Sequence, residues 1–143
     1  MIEPTTNPPE LAIDQESLGF IIVKAREFDA KVPPVESDPG SNPADDREEA
    51  ILGDYADDPT LDELRTAIDD LNEDEVVDLI ALTWLGRGDY DPEEWREAKR
   101  LARERHHRHS AAYLVGIPAL GDYIEEGLAA LGYDTSELGA EHL

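Results

Sequence analysis

The sequence contains no cysteine, which excludes disulfides, thiolate metal sites and cysteine nucleophiles. It also lacks any apolar run that approaches the roughly 20 residues of a membrane-spanning helix. Its first residues, from Met1 to Thr6, have neither the basic region nor the apolar region of a secretory signal. These absences predict a cytoplasmic protein that does not associate with a membrane.

Basic residues are scarce: the chain has 12 of them against 35 acidic residues, which gives a formal net charge of −23. A surface of this sign repels nucleic acid, so we expect no nucleic acid partner. The acids are concentrated between Glu36 and Asp78, a stretch called here the acidic segment, which holds 17 acidic and 2 basic residues. Such acidity is typical both of a functional surface and of proteins from a saline habitat, and the sequence leaves these two explanations open.

No alternating strand pattern and no internal repeat is present, and apolar residues recur at helical spacing along most of the chain. These patterns predict an all-α protein, a single-domain bundle of five to six helices around a central buried helix at about residues 73–85. We expect a helical domain over residues 13–132, between a flexible N-terminal tail, residues 1–12, and a C-terminal tail, residues 133–143. Within the domain, residues 33–44 contain four prolines and one glycine and predict a loop.

Caps and helix-breaking residues set the expected ends of the outer helices. The third helix is expected to begin with a capping box, because Thr60 and Glu63 have its spacing. The predicted outer helices run from Asp14 to about Lys31, from Asp45 to about Tyr55, from Pro59 onward, from Asp91 to Val115 and from Pro118 to Gly132.

The central helix is predicted to begin at the capping pair Asn72 and Glu75 and to end at Gly86. Apolar residues cover nearly every direction around it and only Asp78 interrupts them, which is typical of a helix at the centre of a bundle. We expect Gly86 to supply the left-handed residue past the helix end and Arg87 to interact with the C-terminal dipole. An alternative role for this turn is a backbone anion site that includes Arg87.

The first helix carries apolar residues on two sides. Phe20 and Val23 point away from the main apolar stripe, which consists of Leu18, Ile21, Ile22, Ala25, Phe28 and Val32. Two interpretations stay open: a helix that packs between other helices, or a helix that lends its second apolar side to a homodimer.

The fifth predicted helix places charged residues on its apolar face. Arg105 and His109 fall on the same stripe as Trp95. An unpaired buried charge is costly, so one interpretation is an internal arginine–carboxylate pair or a helix broken near His106. The other interpretation is a binding site for a small anionic ligand, formed by Arg87, Arg105 and His109.

A different, outward face of this helix is basic. Its outward stripe, called here the basic stripe, consists of Arg96, Arg100, Arg103 and His107. One interpretation is a solvated face linked to neighbouring acids. The alternative is a docking surface for an acidic protein partner or for the acidic segment of a second copy.

The histidines of this helix do not predict a metal site. A di-iron bundle needs the Glu-x-x-His motif twice, and here Glu104 and His107 form it once. Neighbouring arginines repel a cation, and the aspartate-rich stretches lack the spacing of an EF-hand. Since no phosphate loop, zinc signature or paired nucleophile is present either, we expect no catalytic residue, no metal and no cofactor.

Four segments of the chain stand out as strings: FIIVKAREFD at 20–29, DPGSN at 38–42, LNEDEVVDLIALTWLGRGD at 71–89 and AAYLVGIPALGDYIEEGL at 111–128. They resemble a small bacterial family of domains of unknown function, mainly from alphaproteobacteria. The resemblance covers about residues 14–131, and its most specific string is TWLGRGD, residues 83–89. It implies a bacterial cytoplasmic protein, but no activity, cofactor or catalytic residue.

Together these features predict a small acidic binding or regulatory protein without catalytic activity. A protein partner is expected to contact either the basic stripe or the acidic segment. One alternative is an enzyme or sensor that binds a small anionic ligand near Arg87, Arg105 and His109. A further alternative is a nucleic-acid mimic, in which the acidic segment copies a row of phosphates.

Overall fold

A computed structural model describes residues 8–32, 51, 53, 55–105 and 110–136. These residues contain no strand and form six helices, so the prediction of an all-α single-domain bundle is confirmed. A short 3-10 turn, Pro92–Glu94, leads into the fourth helix. The helices are α1 (Gln15–Lys31), α2 (Pro59–Asp69), α3 (Glu73–Arg87), α4 (Trp95–Arg105), α5 (Ser110–Val115) and α6 (Leu120–Leu131).

Helix α3 is the central element of the bundle. Every residue from Val77 to Leu85 is buried, and the exposed fraction is 0% for Ile80 and 5% for Trp84. Each large apolar side chain that is fully buried in this way contributes about 1.5–3 kcal/mol to folding. The predicted central buried helix is therefore confirmed, with α4 and α6 as its main neighbours.

Helix α1 packs against both α6 and α2. All residues of its predicted stripe are buried, and Val23 is buried as well, whereas Phe20 is half-buried. The interpretation of α1 as a helix that packs between other helices is therefore confirmed. The homodimer stays a prediction.

The beginning of α2 differs from the sequence prediction. Its N-cap is Asp58, whose Oδ1 accepts hydrogen bonds from the backbone N–H groups of Thr60, at 2.8 Å, and Leu61, at 3.1 Å. The predicted capping box of Thr60 and Glu63 is wrong because Pro59, which has no N–H to be capped, already occupies the first helical position.

Helix α3 begins as predicted and ends later. The backbone N–H of Glu75 donates to Asn72 Oδ1 at 2.9 Å, and Glu75 Oε1 accepts from the backbone N–H of Asn72 at 2.8 Å. The left-handed residue after the helix is Gly88, with a φ of 92°, and not Gly86. Gly86 instead lies within the helix, where it serves a packing role, and Arg87 lies in the last turn as expected.

The packing role of Gly86 is a close crossing of α3 and α6. A Cβ at Gly86 would lie 1.8 Å from the carbonyl oxygen of Tyr123, and a Cβ at Gly127 would lie 2.1 Å from that of Leu82. Since the later residue on α3 meets the earlier residue on α6, the two helices are antiparallel. Their backbones touch at both points, which leaves no room for a side chain.

The predicted fifth helix is described as two helices, α4 and α5, and residues 106–109 between them lie outside the described residues. The last helix begins at Leu120 and not at Pro118, because Ala119 has a left-handed backbone with a φ of 61°. The backbone N–H of Ala119 donates to Asp29 Oδ2 at 3.1 Å, which holds this turn against α1. The predicted end at Gly132 is confirmed, with a φ of 104°.

The predicted loop at residues 33–44 lies outside the described residues. The same holds for most of the short helix expected from Asp45 to Tyr55, although Ile51 and Gly53 are helical and Ile51 is buried. The domain boundaries stay a prediction. Near the chain ends, the hydroxyl of Tyr133 donates a hydrogen bond to the carbonyl oxygen of Pro9.

Among the described residues, no helix combines the length and the apolarity needed to cross a membrane.

Candidate functional site

Two arginines that are distant in the sequence line one cavity. Arg87 comes from the last turn of α3 and Arg105 from the end of α4. The cavity has a volume of about 340 Å³, and its other described lining residues are Trp84, Asp89 and Tyr90. This volume lies at the lower end of the range of roughly 300–1,000 Å³ that is typical of small-molecule sites. We call this cavity the arginine cavity.

Two aromatic rings form one part of its lining. The rings of Trp84 and Tyr90 are stacked, with a centroid distance of 5.9 Å and an interplanar angle of 29°. The indole N–H of Trp84 donates to the hydroxyl of Tyr113 at 2.9 Å. Trp84 is therefore held by a stacked ring and by a hydrogen bond, and the partly exposed ring of Tyr90 covers it.

Arg87 is held by Asp89. The distance from Arg87 Nη2 to Asp89 Oδ2 is 2.6 Å, and Nε donates to the same oxygen at 2.8 Å. Partial burial lowers the pKa of Arg87, but the hydrogen bonds to the carboxylate outweigh this effect, so that its pKa lies above the ordinary value. Arg87 therefore stays positively charged and has a defined orientation at the cavity.

Arg105 differs from the sequence prediction. It was expected on the apolar face of its helix, but it is exposed. Within the described part of the chain it has no ion-pair partner. His109, the third residue of the ligand-site prediction, lies outside the described residues.

The chemistry of the arginine cavity is that of a binding site. Two guanidinium groups and one carboxylate give its described lining a net charge of +1. Guanidinium groups form paired hydrogen bonds to carboxylates and phosphates. The carboxylate of Asp89 is already engaged by Arg87, so these lining residues provide no pair of nucleophile and base.

The basic stripe lines a second groove, called here the basic groove. It has a volume of about 420 Å³ and lies between the segment Pro9–Glu10 and helix α4. Its lining on α4 includes Trp95, Arg96, Lys99, Arg100 and Arg103. His107, the fourth predicted residue of the stripe, lies outside the described residues.

Two of the three described arginines of the stripe are already paired with acids of the same chain. Arg100 contacts Glu97, and its Nη1 lies 3.0 Å from Glu104 Oε1. Arg103 lies 2.8 Å from Asp74 Oδ1 and also contacts Glu73. These pairs match the interpretation of the stripe as a solvated face linked to neighbouring acids. Arg96 alone among the three has no such partner within the residues that the structure describes.

Asp78 is a residue whose importance the sequence analysis missed. Its exposed fraction is 0%, and its Oδ2 accepts a hydrogen bond of 2.6 Å from the backbone N–H of Ala12. Lys99 Nζ lies 3.2 Å from Oδ1, which balances the charge, although Oδ1 accepts no aligned hydrogen bond within the described chain. Asp78 thus connects α3, α4 and the segment before α1. The sequence marks Asp78 as the acid that interrupts an otherwise apolar helix, but it does not indicate the two partners, because both are far away in the sequence.

No group of three or more His, Asp or Glu side chains lies close enough to hold a metal ion among the residues described. Because residues 106–109 are outside this set, the expectation of no metal site at the histidines stays a prediction.

The family described as "Protein of unknown function (DUF3775)" matches residues 61–133 of the chain. This match covers half of the chain, and the chain therefore belongs to that family. The matched part extends from the first turn of α2 to the end of α6, so it contains both arginines of the cavity and the central helix, whereas α1 lies outside it. No curated protein and no solved structure matches the chain.

Proposed function

We propose that this member of the DUF3775 family is a binding protein without catalytic activity, and that its ligand is a small molecule with an anionic group next to a planar ring. One observation carries the proposal: the arginine cavity brings Arg87 and Arg105 together with the stacked rings of Trp84 and Tyr90. We expect this protein to act in the bacterial cytoplasm. That the family is mainly alphaproteobacterial and is marked by the string TWLGRGD also stays a prediction.

The two parts of the cavity favour the two parts of such a ligand. Within the described chain Arg105 has no ion-pair partner that a carboxylate or phosphate would have to displace, whereas Arg87 must share its donors with Asp89. The planar part of the ligand would pack against the partly exposed ring of Tyr90, next to the edge of Trp84. The net charge of −23 opposes the approach of an anion, but at physiological ionic strength charges are screened beyond about 8 Å. Short-range contacts with the arginines therefore decide the binding.

The two tryptophans of the chain make a direct test available. Trp84 lines the arginine cavity and Trp95 lines the basic groove, so the two indole N–H signals in a 1H–15N NMR spectrum report on different sites. We expect phenyl phosphate to shift the Trp84 signal and leave the Trp95 signal in place. At roughly 0.4 kcal/mol per non-hydrogen atom, the dissociation constant should be about 1 mM. Benzyl alcohol, which has the ring without the charge, should bind more weakly.

The matched variants are Arg105→Gln and Arg65→Gln. Arg65 lies on α2, lines none of the cavities described above and has no ion-pair partner within the described residues. Loss of the charged hydrogen bonds of Arg105 should weaken phenyl phosphate binding about ten-fold, whereas Arg65→Gln should leave it unchanged. Equal weakening by both variants, or a shift at Trp95 in place of Trp84, would contradict the proposed site.

A second candidate function is the docking of an acidic protein partner in the basic groove. The observation that favours it is the exposed Arg96, which lines this groove without a partner of its own in the described chain. A poly-glutamate peptide serves as the probe. If this function is correct, the peptide shifts the Trp95 indole signal, Arg96→Gln abolishes the shift, and the Trp84 signal stays in place.

The remaining alternative, the nucleic-acid mimic, depends on a regular row of exposed acids along the acidic segment. Much of that segment lies outside the described residues, and this alternative stays a prediction from sequence.

A further inference from the structure

A third groove lies on a different side of the bundle, between α1 and the junction of α2 and α3. Its volume is about 370 Å³. Acidic residues from three places border it: Glu16 from the first turn of α1, Asp70 from the end of α2 and Glu75 from the first turn of α3. We call it the acidic groove.

Apolar residues form its floor. Ile21 is fully buried beneath the groove, whereas Ala67 and Leu71 are half-buried and pack against the core from the groove side. Phe20 also lines the groove, and the ammonium of Lys24 lies 5.7 Å from the centroid of its ring. The surface therefore combines an apolar floor with a border of one charge.

Two of the border charges are not neutralised by the described residues. Glu16 and Asp70 are exposed and have no side-chain hydrogen bond or ion pair within the described residues. The nearby cation, Lys24, is already engaged, since its Nζ lies 2.6 Å from Glu63 Oε2 and 3.2 Å from Glu27 Oε2. The acidic groove thus keeps a negative border that a partner can match.

We propose that the acidic groove docks a cationic amphipathic helix of another protein. The apolar side chains of such a helix, at positions i, i+3, i+4 and i+7, would cover the floor, as in other complexes where a helix binds in a groove. Its lysines and arginines would meet Glu16 and Asp70, and their aliphatic stems would extend the apolar contact. The net charge of −23 accelerates the approach of a cationic partner.

A second copy of the chain fits the acidic groove poorly. Two chains that each carry a net charge of −23 repel one another, and two of the three described arginines of the basic stripe are engaged. Arg100 and Arg103 of α4 contact acids of their own chain. Charge complementarity therefore favours a different protein with a basic helix. This inference does not depend on the arginine cavity, which shares no residue with the acidic groove.

The test uses a fluorescent model peptide of leucine and lysine, with leucines at i, i+3, i+4 and i+7, and a scrambled peptide of the same composition. Fluorescence anisotropy measures their binding to the full chain. We expect the amphipathic peptide to bind about ten-fold more tightly than the scrambled peptide, because only the former presents a continuous apolar face. The affinity should fall as salt is raised from 50 to 200 mM, since charge attraction is screened.

Two double variants with the same change of net charge locate the binding. Glu16→Gln with Asp70→Asn removes charges at the groove, whereas Asp57→Asn with Glu126→Gln removes exposed charges elsewhere. We expect the first pair to weaken amphipathic peptide binding about five-fold and the second to change it less than about two-fold. Equal effects of the two pairs, or equal binding of the scrambled peptide, would overturn the proposal. A concentration-dependent dimer mass in light scattering, lost in the first pair alone, would overturn it in favour of a second copy.

Discussion

Helix α3 contacts two neighbours by different means. On the α6 side the backbones touch, and glycines at Gly86 and Gly127 make this approach possible. On the α4 side the contact includes charge, through Asp78 with Lys99 and Arg103 with Asp74. Helix α3 is therefore fixed by shape on its α6 side and partly by electrostatics on its α4 side.

The difference has a consequence for where binding can occur. A contact between backbones has no adjustable atoms, and densely packed interiors resist even a single added methyl group. The exposed pair of Arg103 and Asp74 can rearrange at low cost, since exposed ion pairs contribute only about 0–1 kcal/mol. Both the arginine cavity and the basic groove take residues from α4, on the adaptable side. We infer that the contact with α6 acts as scaffold, and that the arginine cavity and the basic groove depend on the more adaptable contact with α4.

The largest effect is expected from Gly127→Ala, which tests the backbone contact between α3 and α6. Its methyl group would lie 2.1 Å from the carbonyl oxygen of Leu82, so α3 and α6 must separate. We expect a net loss of about 3 kcal/mol in the free energy of unfolding, measured by urea denaturation, even though alanine favours the helix by about 1 kcal/mol.

Gly53→Ala is the control for this prediction. Gly53 is also helical, and an added Cβ there meets no atom within 4 Å among the described residues. This variant should be unchanged or more stable by up to about 1 kcal/mol. A Gly127→Ala protein as stable as the wild type would show that the crossing is not fixed by backbone contact.

These glycines also show which parts of the fold the sequence could predict. Local patterns were sufficient for the central helix, for the Asn72 and Glu75 capping box and for the end of α6 at Gly132. Gly86 was misinterpreted as a helix end, because its actual role depends on Tyr123, which is distant in sequence. A glycine that terminates a helix and a glycine that permits a close helix crossing cannot be distinguished from the sequence alone, because the difference depends on the position of the partner helix.

A smaller effect is expected at Asp78, the buried acid on the α4 side. Asp78→Ala removes the acceptor of the Ala12 N–H and should cost about 2 kcal/mol in the free energy of unfolding. The loss is moderate because Lys99 is 34% exposed and can turn its ammonium toward solvent. Asp78→Asn keeps an oxygen acceptor and loses only the charge, so it should cost about 1 kcal/mol.

Urea denaturation of both variants checks this prediction, and amide hydrogen exchange at Ala12 checks its cause. Exchange at Ala12 should accelerate strongly in Asp78→Ala and less in Asp78→Asn. If both variants lose more stability than Gly127→Ala, the charged contact with α4 contributes more to the packing of α3 than the backbone contact with α6.

The candidate sites show the same limit of sequence reasoning. Helical spacing and the position of Arg87 near the end of α3 were enough to nominate Arg87 and Arg105 for one site. Whether this site binds a ligand stays a prediction. The ring stack of Trp84 on Tyr90 and the partners of Asp78 were not foreseen. Both depend on where a turn or a distant segment folds back, and the local periodicity carries no information about this.

The smallest predicted effect concerns the exposed pair of Arg100 and Glu97 on α4. It tests whether the charges of this helix can rearrange at low cost. The hydrogen bond from Arg100, together with its positive charge, holds the pKa of Glu97 below its usual range. Arg100→Gln should therefore raise the pKa of Glu97, as measured by NMR titration of its side-chain carboxyl carbon. Arg96→Gln is the control, because Arg96 has no ion-pair partner in the described chain, and it should leave the pKa of Glu97 lowered.

The direction of the pH dependence follows from the lowered pKa. Glu97 is deprotonated more readily in the folded than in the unfolded chain, so its contribution to stability is fully present above the unfolded-state pKa of about 4.3. It is lost as the pH falls through the lower pKa of the folded chain. The stability difference between wild type and Arg100→Gln should therefore be seen at neutral pH, shrink below about pH 4 and decrease with added salt. A difference that persists in acid would mean that Arg100 stabilises α4 by packing of its stem, and the α4 side would then be fixed by shape as well.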